Sequence, residues 1–343
     1  MNQSIFKRTF RFLSFFLLVA CNAAAQTDTL SFLHITDLHV IFSPGSYRTE
    51  VMDNRKLKNY DEGESRLRQF LQFMPRKTGS DLVIATGDLV DFFEAEAGSE
   101  RITAKKGQNP AVFKAMSAGS NLREAKSLSV QAAKFAKMAA GFKTPCLFTL
   151  GNHDLFSFEW RNNKLSHHQN SSGRARALWI RNLPCFEDGT YYSRLFQVGR
   201  TTYRLIFLDN SFYKFRRDDK TAVPYIDKAQ EYWLDAQLRE SDQDVEIILM
   251  HIPFRDDQAV SGTAGELYET LLKVPSVKLI LSGHRHKNEI ATFPSAENHK
   301  IVQVQTGALV ADEGNWRRIR LTENQIEVSY PGRTGSETVI PLR

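Results

Sequence analysis

Residues 146–154 read Cys146-Leu147-Phe148-Thr149-Leu150-Gly151-Asn152-His153-Asp154, an apolar run that stops at a cluster of small and chemically capable residues. The design recurs on both sides of it. Phe32-Leu33-His34-Ile35 runs into Asp37-Leu38-His39, and Leu82-Val83-Ile84-Ala85 into Gly87-Asp88. Leu205-Ile206-Phe207-Leu208 ends at Asp209, and Ile247-Ile248-Leu249-Met250 at His251. Val277-Lys278-Leu279-Ile280-Leu281 ends at Gly283-His284-Arg285-His286. Short runs with so little polar alternation suit strands covered on both faces. Helical patterns lie between several of them, over Ser65–Phe73, Leu122–Ala140 and Asp227–Arg239. Strands alternating with helices predict an α/β fold, with the polar residues gathered on loops beyond the strand ends.

The rest of the chain fits that frame. With 343 residues and 42% hydrophobic content, it can bury one large core. No internal repeat, low-complexity tract or second apolar segment interrupts it. After His286 come two more strand-like runs, Ile301–Gln305 and Gln325–Tyr330. One domain is expected over residues 30–335, with loop insertions near 89–121 and 155–190.

Residues 1–25 read as a secretory signal peptide. Lys7, Arg8 and Arg11 precede the apolar stretch Phe12–Ala20, which is far shorter than a membrane span needs. Leu18-Val19-Ala20-Cys21 resembles a lipoprotein cleavage site, and Ala23-Ala24-Ala25 offers a second. The expectation is an exported bacterial protein, periplasmic or membrane-anchored through a lipidated Cys21. Mass spectrometry of the mature N-terminus separates the two cleavage sites. Cys146 and Cys185 remain, as core thiols or as a pair. The net charge of +6 includes three positives in the leader, so no basic stripe for nucleic acid is expected.

Five of the nine histidines, His39, His153, His251, His284 and His286, sit in the strand-end clusters with Asp37, Asp88 and Asn152. Imidazole, carboxylate and amide oxygen suit a borderline divalent ion such as Mn, Fe or Zn. Eight donors exceed one tetrahedral site, and two ions sharing a carboxylate would accommodate most of them. Asp37/His39 and His284/His286 are i, i+2 pairs, which an extended backbone would project to one side. Without metal, Asp37 and Asp88 would present about −2 to an anionic ester; two divalent ions would turn that to about +2.

In order, Asp37-x-His39, Gly87-Asp88-x-x-Asp91, Gly151-Asn152-His153-Asp154, His251-x-Pro253 and Gly283-His284-x-His286 resemble the calcineurin-like metallophosphoesterase family. The resemblance runs from about Phe32 to Ala308. It implies a two-sheet β-sandwich flanked by helices (α/β/β/α) and hydrolysis of phosphate esters at two divalent metal ions. Asp37, His39 and His286 would bind the first ion, and Asn152, His251 and His284 the second, with Asp88 between them. Water activated at the ions would attack phosphorus. His153 would protonate the leaving group, with Asp154 orienting its ring.

Two positions depart from family branches. Asp91 stands where purple acid phosphatases carry a tyrosine ligand, which disfavours that branch. Arg285, between two ligands, is expected to point away from the ions. The motifs build a phosphate site and leave the substrate open: a small-molecule or lipid phosphate ester, with a diester favoured over a monoester. Segments 40–65, 89–121, 155–190 and 210–224 would form the remaining pocket. His34 is expected in the core, His167 and His168 in a solvated loop, and Tyr213, Arg216 and Arg217 in a solvated basic patch. The rival from another class is a catalytically silent binding module on the same fold, which chromogenic turnover with added Mn²⁺ would exclude.

Overall fold

The computed structural model describes residues 28–47, 49–91, 130–161, 164–168, 172–215, 222–240, 244–254, 267, 270–294 and 299–342. The leader with Cys21, most of the 89–121 insertion, and Arg216 and Arg217 lie outside the described residues.

The strands, in chain order, begin with β1 (Thr29–Ile35), β2 (Leu82–Thr86), β3 (Cys146–Thr149), β4 (Ser157–Arg161) and β5 (Lys164–His168). Next come β6 (Tyr192–Val198), β7 (Thr201–Phe207), β8 (Phe212–Phe215), β9 (Ala222–Tyr225), β10 (Val245–Leu249) and β11 (Val277–Ser282). The last are β12 (Glu289–Pro294), β13 (Lys300–Gln305), β14 (Arg317–Thr322), β15 (Gln325–Ser329) and β16 (Ser336–Pro341). Twelve of them form two six-stranded sheets, ordered β16-β15-β14-β1-β2-β3 and β12-β13-β11-β10-β7-β6. β4–β5 and β8–β9 are separate hairpins.

The uniform apolar runs are explained by what covers each face. Leu205 and Phe207 of β7, Ile247 and Leu249 of β10, and Leu279 and Leu281 of β11 enter the large core shared with Phe32, Ile84 and Phe148 of the other sheet. The alternate residues Ile206, Ile248 and Ile280 pack instead with Leu234 and Leu238 of helix Lys228–Arg239. Period-2 geometry thus sends successive side chains into two apolar layers, so both must be hydrophobic. Each sheet contains a parallel block: β1, β2 and β3 along one side of the first, and β7, β10, β11 and β13 in the middle of the second. Six of them deliver their carboxyl ends to one edge of the sandwich, where the expected site loops begin.

Helix Gly63–Thr78 extends the pattern seen at Ser65–Phe73 and continues through Pro75. Residues 130–140 are helical within the longer segment expected from 122. Asp227 caps helix Lys228–Arg239 by accepting the Gln230 N–H at 2.8 Å. Among the described residues five strands follow His286, where two were expected. β14 was unread because Arg317, Arg318 and Arg320 dilute its Ile319 and Leu321; yet it pairs antiparallel with β1 in mid-sheet. β16 carries the sheet to Pro341, past the expected domain end at 335. Cys146 and Cys185 are both free thiols, each partly buried.

Glu246, fully buried on β10, gives the fold a pH dependence. Burial pushes its carboxyl up to about 7, with Asp244 adding, against the Ser276 hydroxyl and Arg204. Because the folded value exceeds the unfolded one, its favourable contribution is present at low pH and is lost progressively as pH rises to about 7. The full loss is about 3 kcal/mol at most. Glu246→Gln should therefore raise the melting temperature at pH 8 by roughly 3–6 °C and leave it unchanged near pH 4. An equal shift at both pH values in circular-dichroism melts would contradict this assignment.

Candidate metal centre

The loops leaving β1 and β2 run side by side. The N–H of Asp37 donates to Gly87 O at 3.1 Å, and those of Leu38 and His39 both donate to Asp88 O at 2.9 Å. This arrangement forces unusual backbone. Asp37, His39, Asp88, His284 and His286 all have φ between 42° and 72°, the left-handed region that non-glycine residues avoid. The i, i+2 pairs are therefore not extended, contrary to the expectation from pleat alternation. Left-handed backbone at both members, rather than pleat alternation, turns them inward.

Glycines allow the loops to touch. A Cβ on Gly151 would collide with the backbone N and Oδ1 of Asp88, and one on Gly283 with Thr36 and Asp37.

Each central aspartate divides its oxygens. Asp37 Oδ2 accepts the N–H of His284 at 2.9 Å and the Thr36 hydroxyl at 2.8 Å. Its Oδ1 is buried without a hydrogen-bond partner and lies 3.1 Å from His286 Nε2. Asp88 Oδ1 accepts the N–H of His153 at 2.8 Å, whereas Oδ2 lies 3.3 Å from His251 Nε2 and 3.7 Å from His39 Nε2. One oxygen of each is used to hold a neighbouring loop, and the other is turned to the centre.

Two donor clusters result. Around Asp37 Oδ1 stand His286 Nε2 and His39 Nε2, the two ring nitrogens 3.2 Å apart. Asn152 Oδ1 lies 3.2 Å from His251 Nε2 and 3.1 Å from His284 Nδ1, and these two nitrogens are 3.3 Å apart. Ligands about 2.0–2.2 Å from a common ion lie roughly 3–3.6 Å from one another; the second cluster falls within that range, and the first does apart from Asp37 Oδ1 to His39 Nε2 at 3.9 Å. Asp88 Oδ2 lies between them. The donor atoms of Asp37, His39, Asp88 and His286 are all within 4.8 Å of one another. His251 Nδ1 donates to Thr86 O at 2.8 Å, which leaves a lone pair on Nε2 of the neutral ring.

The buried carboxylates and imidazoles stabilise opposite charges on one another against the cost of burial. Burial opposes the charge on Asp88, but His251, His153 and His39 hold its carboxyl well below the usual range. Burial likewise opposes charge on His251, yet Asp88 and Asp37 raise it to about 9. Asp37, His39 and His251 are fully buried, whereas the side chains of His153 and His286 are 17% and 32% exposed. The centre therefore opens to solvent on the His153 and His286 side.

One expected contact is replaced by another. Asp154 does not face His153: its carboxylate accepts the N–H groups of Gly151, Leu89 and Val90 at 2.7, 3.1 and 3.0 Å. Burial and Asp88 push Asp154 up to about 8 against those three donors. Consecutive residues of the short helix Asn152–Leu155 point about 100° apart, so Asp154 cannot reach its neighbour's ring. Asp91 takes that place, with Oδ1 2.9 Å from His153 Nδ1. Its position in the second motif was visible in the sequence, but no role was drawn from it.

Three further residues had no sequence signal. The Tyr60 ring stacks on His39 with centroids 4.0 Å apart and planes 9° apart. Arg55 lies against Asp91, with Nε 2.5 Å from Oδ2. Asn210 Oδ1 accepts the N–H groups of His251 and Ile252 and fixes that turn. His34 is a buried core residue between the Thr86 and Thr306 hydroxyls, 2.8 Å from each, and burial lowers it to about 3. The side chains of His167, His168 and Tyr213 lie outside the described residues.

Such a centre, with Asp, Asn and His donors on loops after parallel strands, defines a metal-dependent hydrolase site. Residues 30–288 match the sequence model of the calcineurin-like phosphoesterases, and the chain belongs to that family of metal-dependent phosphoester hydrolases. Among solved structures it resembles a dimetal phosphatase from Danio rerio, with a TM-score of 0.57 and 14% identity over 92% of this chain and 99% of that one. It also matches calcineurin-like phosphoesterase YfkN from Bacillus subtilis at a TM-score of 0.42 and 15% identity, covering 92% and 91% of the two chains. The NAD nucleotidase of Haemophilus influenzae matches at 0.43 and 14% identity, over 86% of this chain and 48% of that protein. At 14% identity, the likeness to the Danio rerio structure is one of fold. No curated protein sequence matches the chain significantly.

Proposed function

We propose that the chain hydrolyses small-molecule or lipid phosphate esters, diesters ahead of monoesters, with two divalent ions of Mn, Fe or Zn. The observation that carries this reading is the pair of donor clusters at ligand spacing with Asp88 Oδ2 between them. Asp37, His39 and His286 would hold one ion, and Asn152, His251 and His284 the other. Bound ions would supply Lewis acidity toward the phosphoryl oxygens and acidify a water molecule to a pKa of ~7.

The chain's own contribution is positional. His153 Nδ1 faces Asp91, so its proton is directed there and Nε2 is left for the reacting ester. Nε2 lies 4.0 Å from Asp88 Oδ2, on the open side of the centre. With both ring nitrogens protonated, His153 would give the Nε2 proton to the departing oxygen and keep the Nδ1 proton on Asp91. The complete donor set speaks against a silent binding module.

The test compares bis(p-nitrophenyl) phosphate with p-nitrophenyl phosphate. Chelated protein should fall to background on both, and Mn²⁺, Zn²⁺ or Fe²⁺ should restore turnover to different extents, more on the diester. Full turnover by metal-free protein would refute the metal reading, and faster monoester hydrolysis would reverse the substrate preference.

A further inference from the structure

Arg55 stands near the end of helix Thr49–Lys56, in the excursion between the first and second motifs. Val51 and Met52 seat that helix in the core, and the Arg55 side chain is only 3% exposed. Burying a guanidinium costs several kcal/mol unless a partner compensates it. The compensating carboxylate is Asp91, itself 2% exposed: Arg55 Nε lies 2.5 Å from Oδ2, and Nη2 donates to Oδ1 at 3.3 Å. The guanidinium also lies 5.5 Å from the centroid of the Tyr60 ring, which stacks on His39.

Asp91 has two histidines within reach of one oxygen. Oδ1 is 2.9 Å from His153 Nδ1 and 3.8 Å from His39 Nδ1, and the latter is buried without a hydrogen-bond partner. A carboxylate free to turn could settle on His39 and release the His153 ring. A buried guanidinium against Oδ2, with one N–H donated to Oδ1, restricts that freedom, because turning the carboxylate would pull it away from its compensating charge. We propose that Arg55 is a positioning residue for this reaction: it fixes Asp91, and through Asp91 it sets the orientation of His153. The inference rests on the reading of His153 as proton donor. It assigns a role in proton transfer to the helix preceding Tyr60, which contributes no ligand.

The experiment uses Arg55→Met and Arg55→Lys, each alone and combined with His153→Ala, in metal-loaded protein of measured metal content. Substrates are a dialkyl phosphate and bis(p-nitrophenyl) phosphate. Arg55→Met should lower kcat on the alkyl ester ~10–100-fold, the usual loss for an orienting partner, with KM nearly unchanged and a smaller loss on the p-nitrophenyl ester. In the His153→Ala background it should cost nothing further, since both changes remove one function. Arg55→Lys keeps a buried cation, and should fold and recover part of the rate.

Independent, multiplicative losses in the double variant, or an unchanged kcat in Arg55→Met, would overturn the inference while leaving the hydrolase reading intact. Loss of an ion in Arg55→Met would also overturn it, by making Asp91 a ligand. A wild-type protein that hydrolyses neither ester would overturn the hydrolase reading, and the inference with it.

Discussion

Asp88→Asn is expected to lower turnover by roughly three decades or more, about 4 kcal/mol of barrier, and to deplete both ions together. Oδ1 accepts the backbone N–H of His153, while Oδ2 faces His251 and His39 from the two clusters. An amide cannot serve both sides. Turned one way, its NH2 meets the His153 N–H; turned the other, it presents hydrogens where a cation would sit. Either orientation also removes the negative charge shared by the two positions. Metal content by inductively coupled plasma mass spectrometry, with turnover of a p-nitrophenyl ester, checks the result. An Asn variant that kept two ions and a tenth of the wild-type rate would show that Asp88 does not bridge.

The second large effect is expected at His153. General acid catalysis contributes about 10²–10⁴-fold, so His153→Ala should cost that much on alkyl esters, whose alkoxide leaves poorly without a proton. On p-nitrophenyl esters the loss should be appreciably smaller, because p-nitrophenolate departs as the anion. Metal content should stay near wild type, since Nδ1 is held by Asp91 and the backbone N–H, not the ring, contacts Asp88 Oδ1. Equal losses on both substrate classes would recast His153 as an electrostatic clamp, and loss of an ion would make it a ligand.

What the sequence made legible follows from burial. The strands that carry the centre are covered on both faces, so their apolar runs and the polar residues that end them stand out. β14 interrupts Ile319 and Leu321 with arginines, and β12 and β16 are short mixtures of polar and apolar residues ending in proline; those weaker patterns hid them. Within the centre, residue types and order were legible, but the conformation was not. Nothing in Asp37-x-His39 announces left-handed backbone, which is imposed by hydrogen bonds to a loop fifty residues away. Asp91 told only against one family branch in the sequence, because adjacency favoured Asp154 as the partner of His153. Arg55 and Tyr60 reach the centre only through the packing of a connector, and tertiary contacts of that kind leave no periodic trace.

Each donor cluster draws on both sheets. Asp37 and His39 follow β1 while His286 follows β11; Asn152 follows β3 while His251 and His284 follow β10 and β11. A half-folded chain with only one sheet assembled therefore owns neither coordination shell. Transition metals compete for protein donors in an order set by the ions themselves, with copper and zinc ahead of iron and manganese. A nascent chain that offers a finished pair of pockets early would be claimed by the tightest binder at hand. With donors drawn from both sheets, the choice of ion would be deferred until the two halves of the sandwich had closed, and the ions present where folding finishes would decide what the centre carries.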